Sequence, residues 1–223
     1  MLSIVSTPIG NLGDITLRAL ETLKTCDVIV CEDTRVTGNL LLQLELPKKE
    51  LQSYHGYSDA GKLEHIIRRL KEGSHVALIS DAGTPGISDP GYAVVHRAVE
   101  EGIKIEVIPG AAAFLAALSG SGLPVDKFVY LGFLPLKKGR KTLFDSLKDE
   151  VRTVVFYESV HRIEKTLSEI SVALASQPDR PVVIARELTK MHEEFVRTTI
   201  KDLQDVAKTI MKKGEFAVVI GAL

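Results

Sequence analysis

Short apolar, β-branched runs alternate with helical segments through the first half of the chain. Two such runs are Asp27–Cys31 (DVIVC) and Val76–Ile79 (VALI). The clearest helix between them, which Asp59 is expected to cap, has apolar positions at i, i+3, i+4 and i+7. These positions are Leu63, Ile66, Ile67 and Leu70. Asp14 is expected to cap an earlier helix that carries Leu17, Leu20 and Leu23 on one face. Because strands buried on both faces are continuously apolar, this alternation predicts an α/β fold with a mainly parallel sheet covered on both faces.

A second domain is indicated by length and by one glycine- and proline-rich break. The 223 residues suffice for one large or two small α/β domains. The stretch 120–124 (GSGLP) is the best candidate boundary. Beyond it, Glu194–Thr199 alternates in polarity and is predicted to pair antiparallel with the preceding strand. We therefore predict two α/β domains with parallel and mixed sheets, residues 1–119 and 120–223, with a cleft between them.

Composition limits the classes of function. The net charge of −1 argues against binding of nucleic acid by the whole surface, so any RNA contact needs a local basic patch. No apolar run approaches the length of a membrane span, and the N-terminus lacks the features of a signal peptide. Cys26 and Cys31 are expected to be reduced core residues, since two cysteines among scattered histidines predict neither a disulfide scaffold nor a zinc site. These features together predict a cytoplasmic protein without a metal.

The loop after the strand Val76–Ile79 is the strongest functional signal from the residues themselves. It is rich in acids, hydroxyls, glycines and prolines, with Asp89 expected to cap the helix that follows and Pro90 to lie in its first turn. Long loops at the carboxyl ends of buried strands bind ligands in open α/β sheets. The chain lacks a P-loop and a Rossmann fingerprint, and this loop contains no Lys or Arg. We therefore expect a neutral or cationic ligand, and an adenosyl group carrying a sulfonium fits, because nearby carboxylates such as Asp81 would tolerate the charge.

Five polar clusters each follow a short apolar run. They are TPIGN, EDTR, SDAGTPGISDPG, ESVHR and RELTK. Because strand ends at one edge of a sheet converge, these clusters are predicted to line a common cleft, although each could instead be ordinary turn chemistry.

The same clusters carry a family resemblance over nearly the whole chain. The segments TPIGNLGDITLRALETL, CEDTR, SDAGTPGISDPG, VIPGAAA, FLP, FYESVHRI, ARELTKMHEE and GEFAVVIG together resemble the ribosomal RNA small subunit methyltransferase I family. That family belongs to the tetrapyrrole-methylase-type, class III S-adenosylmethionine methyltransferases. The resemblance implies 2′-O-methylation of a cytidine in 16S-type ribosomal RNA, with S-adenosylmethionine as donor, within the small ribosomal subunit. It also implies a homodimer that binds the donor between its domains.

The family pattern implies which residues contact the donor. They are Pro8, Asp81, Ala82, Gly83, Ile87, Ser88, Asp89, Ala111, Ala112, Ala113, Phe156, Tyr157, Ala185, Arg186, Glu187 and Gly214. Two other functions stay open from sequence: a tetrapyrrole C-methyltransferase, and a non-catalytic adenosyl-ligand or RNA-binding protein.

The acceptor chemistry is expected from the other clusters. A ribose hydroxyl is a poor nucleophile and gains from a base or a nearby cation. The candidates are Glu32, Asp33, Glu158, Glu187 and Lys190, with His161 a weaker one. The alternative for Glu32, Arg35, Arg186 and Glu187 is an ion-pair network that braces the predicted cleft. RNA contact is expected from Arg35, Lys137, Lys138, Arg140, Lys141, Arg162 and Lys190.

Overall fold

A computed structural model describes residues 1–55 and 60–223 of the chain. Its contacts define two compact units, Met1–Ala112 and Ala113–Leu223. The predicted boundary after residue 119 falls inside a helix, Ala113–Ser121, that packs on the sheet of the second unit. The Gly/Pro-rich stretch 120–124 marks the end of that helix, whereas the change of unit precedes it. Asp59, the predicted helix cap, lies outside the described residues.

The first unit is built on a sheet in which every pairing is parallel. Its strands are β1 (Leu2–Val5), β2 (Val28–Cys31), β3 (Glu50–Ser53), β4 (Val76–Leu78) and β5 (Ile105–Ile108). They lie in the order β3-β2-β4-β1-β5. The parallel sheet predicted from the alternation of apolar runs and helices is therefore confirmed.

Helices cover both faces of this sheet, as the continuous apolar runs predicted. They are α1 (Leu17–Thr25), α2 (Thr34–Gln43), α3 (Ala60–Lys71) and α4 (Tyr92–Glu100). One buried cluster joins β-strand residues such as Leu2 and Leu78 to Ile67 of α3 and Val94 of α4. A second cluster, on the opposite face, includes side chains of α1 and α2. Cys26 and Cys31 are buried and free, as expected for core residues.

Two predicted helix caps were wrong. Thr16, not Asp14, caps α1, because its hydroxyl accepts a hydrogen bond from the Ala19 N–H at 3.1 Å. Asp14 instead closes a short 3₁₀ helix. Gly91, not Asp89, is the N-cap of α4, and Pro90 precedes the helix, so it does not lie in the first turn.

The second unit has a mixed sheet. Its strands are β6 (Phe128–Phe133), β7 (Thr153–Glu158), β8 (Pro181–Arg186), β9 (Glu194–Thr199) and β10 (Phe216–Ile220). They lie in the order β6-β7-β10-β8-β9, with only β6 and β7 parallel. The antiparallel pairing of β8 with β9 predicted from sequence is confirmed.

Helices also cover this second sheet on both faces. They are α5 (Ala113–Ser121), α6 (Arg140–Ser146), α7 (Ile163–Ala173) and α8 (Leu203–Thr209). α6, α7 and α8 contribute to one large apolar core, whereas α5 packs against β7, β8, β9 and β10. The helix α6 was not predicted from the sequence, in which Arg140 and Lys141 at its start were named only as RNA-contact residues. Among the described residues, no helix is long and apolar enough to cross a membrane.

Candidate functional site

The polar segments of the first unit meet at the carboxyl edge of its parallel sheet. Backbone hydrogen bonds join the loop after β4 to the end of β1: the Thr7 N–H donates to the Gly83 carbonyl at 2.8 Å, and the Gly83 N–H donates back at 3.1 Å. The predicted convergence of TPIGN, EDTR and SDAGTPGISDPG is therefore observed within this unit. Pro8 and Gly83 are buried at this edge, whereas Ala82, Ile87 and Ser88 are exposed on the loop.

A chain of side-chain hydrogen bonds ties three strand-end segments together. The Ser6 and Thr84 hydroxyls are 2.9 Å apart, and the Thr84 hydroxyl donates to the Ala111 carbonyl at 3.0 Å. Gly110 lies against this chain so closely that a Cβ there would be 2.8 Å from the Cβ of Ser6. Ala111 and Ala112 follow as small, half-buried residues. The arrangement fixes the β4 loop and leaves a wall of small residues beside it.

Three carboxylates influence one another at the same edge. Burial, together with Glu32 and Asp81, raises the pKa of Asp89 to about 6. Burial first, then the charge of Asp81, also raises the pKa of Glu32. Neighbouring carboxylates raise a pKa in this way because each disfavours further negative charge. The edge is therefore a region of negative potential, and residues 80–91 contain no Lys or Arg that would neutralise it.

The two acids of EDTR have different environments. The Asp33 carboxylate caps α2 and forms hydrogen bonds with Arg35, at 2.6 Å for the shortest, and these bonds hold the pKa of Asp33 well below its usual range. The Asp33 N–H donates to the Asp81 carboxylate at 3.0 Å, which joins the two loops. The Glu32 carboxylate, by contrast, forms no hydrogen bond or ion pair with the residues that the structure describes.

In the second unit, the ESVHR and RELTK segments also begin at the same edge of the sheet. Glu158 of β7 and Arg186 of β8 both pair with Phe216 of β10, so the two segments leave the sheet side by side. Among the described residues of the whole chain, no group of three or more His, Cys, Asp or Glu side chains is placed to hold a metal ion.

Phe156, which the resemblance implied as a donor contact, lies within the core of the second unit. Its side chain is fully buried in the core beneath α7. The neighbouring Tyr157 points to the opposite face, because side chains alternate along a strand. Its hydroxyl accepts a hydrogen bond from the Phe114 N–H at 2.9 Å. Of the two predicted residues on β7, only Tyr157 is therefore accessible, and Ala185 on β8 is fully buried.

The RELTK segment forms ion pairs, as the alternative interpretation expected. Arg186 is buried and pairs with Glu194 at 3.0 Å. Lys190 lies between Glu187 and Glu215, with distances of 2.9 and 2.8 Å. The first cause of the lowered pKa of Glu187 is its hydrogen bond from Lys190. These contacts do not include Arg35, which pairs with Asp33 in the first unit.

Gly214, another residue predicted to bind the methyl donor, has a positive φ of 94°. It lies so close to the Glu187 side chain that a Cβ at Gly214 would clash with it. It lines a hollow of about 450 Å³ in the second unit. The other lining residues are Val160, His161, Glu164, Lys212 and Lys213.

Two of the predicted RNA-binding arginines are structural. Arg140 is only 7% exposed and donates to Glu169 and to the Thr166 hydroxyl. Arg162 pairs with the fully buried Glu158 at 2.7 Å, which also removes Glu158 from the candidate bases. The sequence does contain a signal for this: Arg140 lies at helical spacing from Leu143, Phe144 and Leu147, so it shares the inward face of α6. Lys137, Lys138 and Lys141 of the same segment remain exposed.

Comparison with known proteins is consistent with this architecture. Residues 1–204 match the family model described as Tetrapyrrole (Corrin/Porphyrin) Methylases. Among solved structures, the methyltransferase CobJ is similar at a TM-score of 0.73 and 18% identity, covering 99% of this chain and 93% of that one. A uroporphyrin-III C-methyltransferase from Thermus thermophilus, solved with S-adenosyl homocysteine, is similar at a TM-score of 0.65 and 21% identity, covering 98% and 96%. The predicted fold class is thereby confirmed: a tetrapyrrole methylase fold, the fold of class III methyltransferases.

Curated relatives identify the family of this chain more specifically. A ribosomal RNA small subunit methyltransferase I of Thermotoga maritima is 45% identical over 98% of this chain and 97% of its own length. That of Synechocystis is 45% identical over 99% of this chain and 78% of its own length. The chain belongs to the ribosomal RNA small subunit methyltransferase I family, a family of S-adenosylmethionine-dependent enzymes.

Proposed function

We propose that this protein transfers a methyl group from S-adenosylmethionine to the 2′-hydroxyl of a cytidine in small-subunit, 16S-type ribosomal RNA. The structural observation that supports the proposal is the carboxyl edge of the first sheet. There, an acidic loop without Lys or Arg is fixed to two neighbouring strand ends. The family membership supplies the reaction class and the ribosomal RNA substrate.

The residues at this edge fit the charge of the donor. The sulfonium is a cation, and Asp81, Asp89 and Glu32 form a region of negative potential. A phosphate-bearing ligand would be repelled at the same place. Ala111 is small and half-buried, and Gly86, Ile87 and Ser88 of the β4 loop are exposed, so a flat adenosyl group could lie against this part of the edge.

The main task of the protein in such a transfer is alignment. The attacking oxygen, the methyl carbon and the sulfur must be in line, and holding them so supplies several kcal/mol, on the order of the gain from proximity in other enzymes. The bound donor supplies the activated methyl group. The hydrogen bonds of Ser6, Thr84 and Ala111, and of Asp33 with Asp81, make the strand-end loops rigid enough to impose that alignment.

Glu32 is the best-placed candidate base for the acceptor hydroxyl. Its pKa is raised, first by burial, and its carboxylate is not engaged by the described residues. A raised pKa brings a carboxylate closer to the value that suits a general base near neutral pH. The other predicted candidates are less suitable, because Asp33 is held by Arg35, while Glu187 and Lys190 pair with each other.

We propose that RNA is held by exposed cations, namely Arg35, Lys137, Lys138 and Lys141. Arg140 and Arg162 are left out because their guanidinium groups are used within the fold. The family resemblance further implies a homodimer acting on the small ribosomal subunit in the cytoplasm. Sedimentation of the purified protein tests the homodimer.

The test is transfer of labelled methyl groups to purified small ribosomal subunits and to naked ribosomal RNA. Mapping of the labelled nucleotide should identify a cytidine resistant to alkaline cleavage on its 3′ side, because a 2′-O-methyl group blocks that reaction. Transfer to a precorrin-like tetrapyrrole, or donor binding with no transfer to RNA, would contradict the proposal and favour one of the two other functions.

A further inference from the structure

Phe133 is an exposed aromatic residue to which no role in donor binding or in the acceptor chemistry has been assigned above. It ends β6, one of the two edge strands of the second sheet, and is 54% exposed. Its ring centroid lies 5.5 Å from that of Tyr157, with an angle of 57° between the ring planes. Tyr157 is in turn held by its hydrogen bond from the Phe114 N–H and by an edge contact with Tyr130. One side of the Phe133 ring is therefore supported, while more than half of the residue is open to solvent.

The segment that follows Phe133 is fixed from inside the fold. Leu134 is buried, and its carbonyl accepts a hydrogen bond from Arg162 at 3.0 Å. The next carbonyl, of Pro135, accepts one from Arg140, also at 3.0 Å. Both arginines are themselves held by buried or half-buried glutamates. The backbone beside Phe133 is thus held in one conformation, which limits the entropy lost when a ligand binds.

Two exposed lysines follow this fixed segment. Lys137 and Lys138 are exposed, and neither ammonium group forms an ion pair with a residue that the structure describes. An exposed ring followed by free cations is the combination that binds single-stranded nucleic acid, because the ring stacks on a base while the cations neutralise phosphates. The charge favours a polyanion over a second copy of this chain, whose net charge is only −1.

We propose that Phe133 stacks on an unpaired base of the acceptor RNA, while Lys137 and Lys138 contact the adjoining phosphates. The inference rests on the proposed function, which it deepens by assigning a specific contact to the RNA. It predicts that the acceptor nucleotide lies near a single-stranded segment, since a paired base has no free face for the ring.

The experiment compares Phe133→Leu and Phe133→Trp with the wild-type protein in binding to a single-stranded ribosomal RNA fragment over a salt series. Loss of stacking in Phe133→Leu should weaken binding about five- to a hundred-fold, and Phe133→Trp should restore it. The slope of log K against log salt should stay unchanged in both, whereas the double variant Lys137→Ala/Lys138→Ala should lower it by about 1.4. Tyr92→Leu is the matched control, because Tyr92 is an exposed ring in the first unit that stacks on His96; its RNA affinity should not change.

Three measurements distinguish failure of this inference from failure of the proposed function. Equal RNA affinity of Phe133→Leu and wild type would overturn the inference while leaving the proposed methyl transfer standing. Conversion of Phe133→Leu to a different oligomeric state in sedimentation would also overturn it, since the ring would then contact a second copy. A wild-type protein that binds S-adenosylmethionine but neither binds nor methylates RNA would refute the proposed function itself.

Discussion

Replacing Asp89 by asparagine should stabilise the protein, and the gain should depend on pH. Burial and the neighbouring carboxylates raise the pKa of Asp89 from 3.8 to about 6. Ionising such a group in the folded state costs about 3 kcal/mol. Because Asp89 is half-buried, screening by solvent reduces that cost to about 1–2 kcal/mol. The asparagine side chain has a similar shape without the charge, so the variant should regain this free energy of unfolding.

The sign of the pH dependence follows from the direction of the pKa change. Below about pH 3.8 the carboxyl is protonated in both folded and unfolded states, so the variant has no advantage. As pH rises towards 6, the unfolded chain ionises first and the wild-type protein loses stability. The advantage of Asp89→Asn should therefore be complete by pH 7.5 and fall to about a third of that value at pH 4.5.

Thermal unfolding at pH 4.5 and 7.5, without donor, measures this effect. At pH 7.5 the midpoint should rise by about 2–8 °C. Asp126→Asn is the matched control, since Asp126 is exposed and should give no gain at either pH. A gain that is equal at both pH values, or that the control reproduces, would refute the account of mutually repelling carboxylates at this edge.

Three further variants test other parts of the structure. Glu32→Gln should leave donor affinity within a few-fold of wild type but lower the rate of methyl transfer about a hundred-fold or more, as expected when a general base is lost; an unchanged rate in single-turnover assays would exclude that role. Gly110→Ala should cost about 1–3 kcal/mol in denaturant unfolding, because the new Cβ would lie 2.8 Å from a side chain at the end of β1. Gly38→Ala, within α2, places a Cβ at an ordinary contact distance of 4.0 Å from Leu51 and should instead stabilise by about 0.5–1 kcal/mol, so equal effects would contradict the packing argument. Arg140→Ala should lower the free energy of unfolding by about 2–3 kcal/mol, whereas Lys138→Ala should change only RNA affinity; similar stability of the two variants would contradict the structural assignment of Arg140.

Sequence periodicity identified most of the fold. The β-branched runs of the first unit predicted parallel pairing correctly, because a strand that is buried on both faces is continuously apolar. The alternation of Glu194–Thr199 predicted antiparallel pairing correctly, because a strand that is buried on one face alternates in polarity. Helix starts were less predictable. Asp14 and Asp89 are both good N-caps by residue type, but the backbone at Thr16 and Gly91 decides where each helix begins.

The sequence predicted which segments meet at the site, but not the direction in which their side chains point. The convergence of strand ends follows from a parallel sheet, so the grouping of Thr7, Asp33 and Gly83 was accessible from sequence. Whether a charged residue points outward is a property of packing, and Arg140 points inward to Glu169 although it lies within a basic run. Phe156 likewise points into the core, because the alternation of β7 gives the other face to Tyr157.

The central claim is that the acidic edge of the first sheet binds a cationic donor. Calorimetry of wild type and Asp81→Asn with S-adenosylmethionine and with its product S-adenosyl homocysteine, a thioether that lacks the sulfonium charge, tests it most directly. We expect the preference of the wild-type protein for the sulfonium-bearing donor to be lost when Asp81 is neutralised, while affinity for the thioether product changes little. An equal loss of affinity for both ligands, or no loss for either, would contradict the electrostatic account of donor binding.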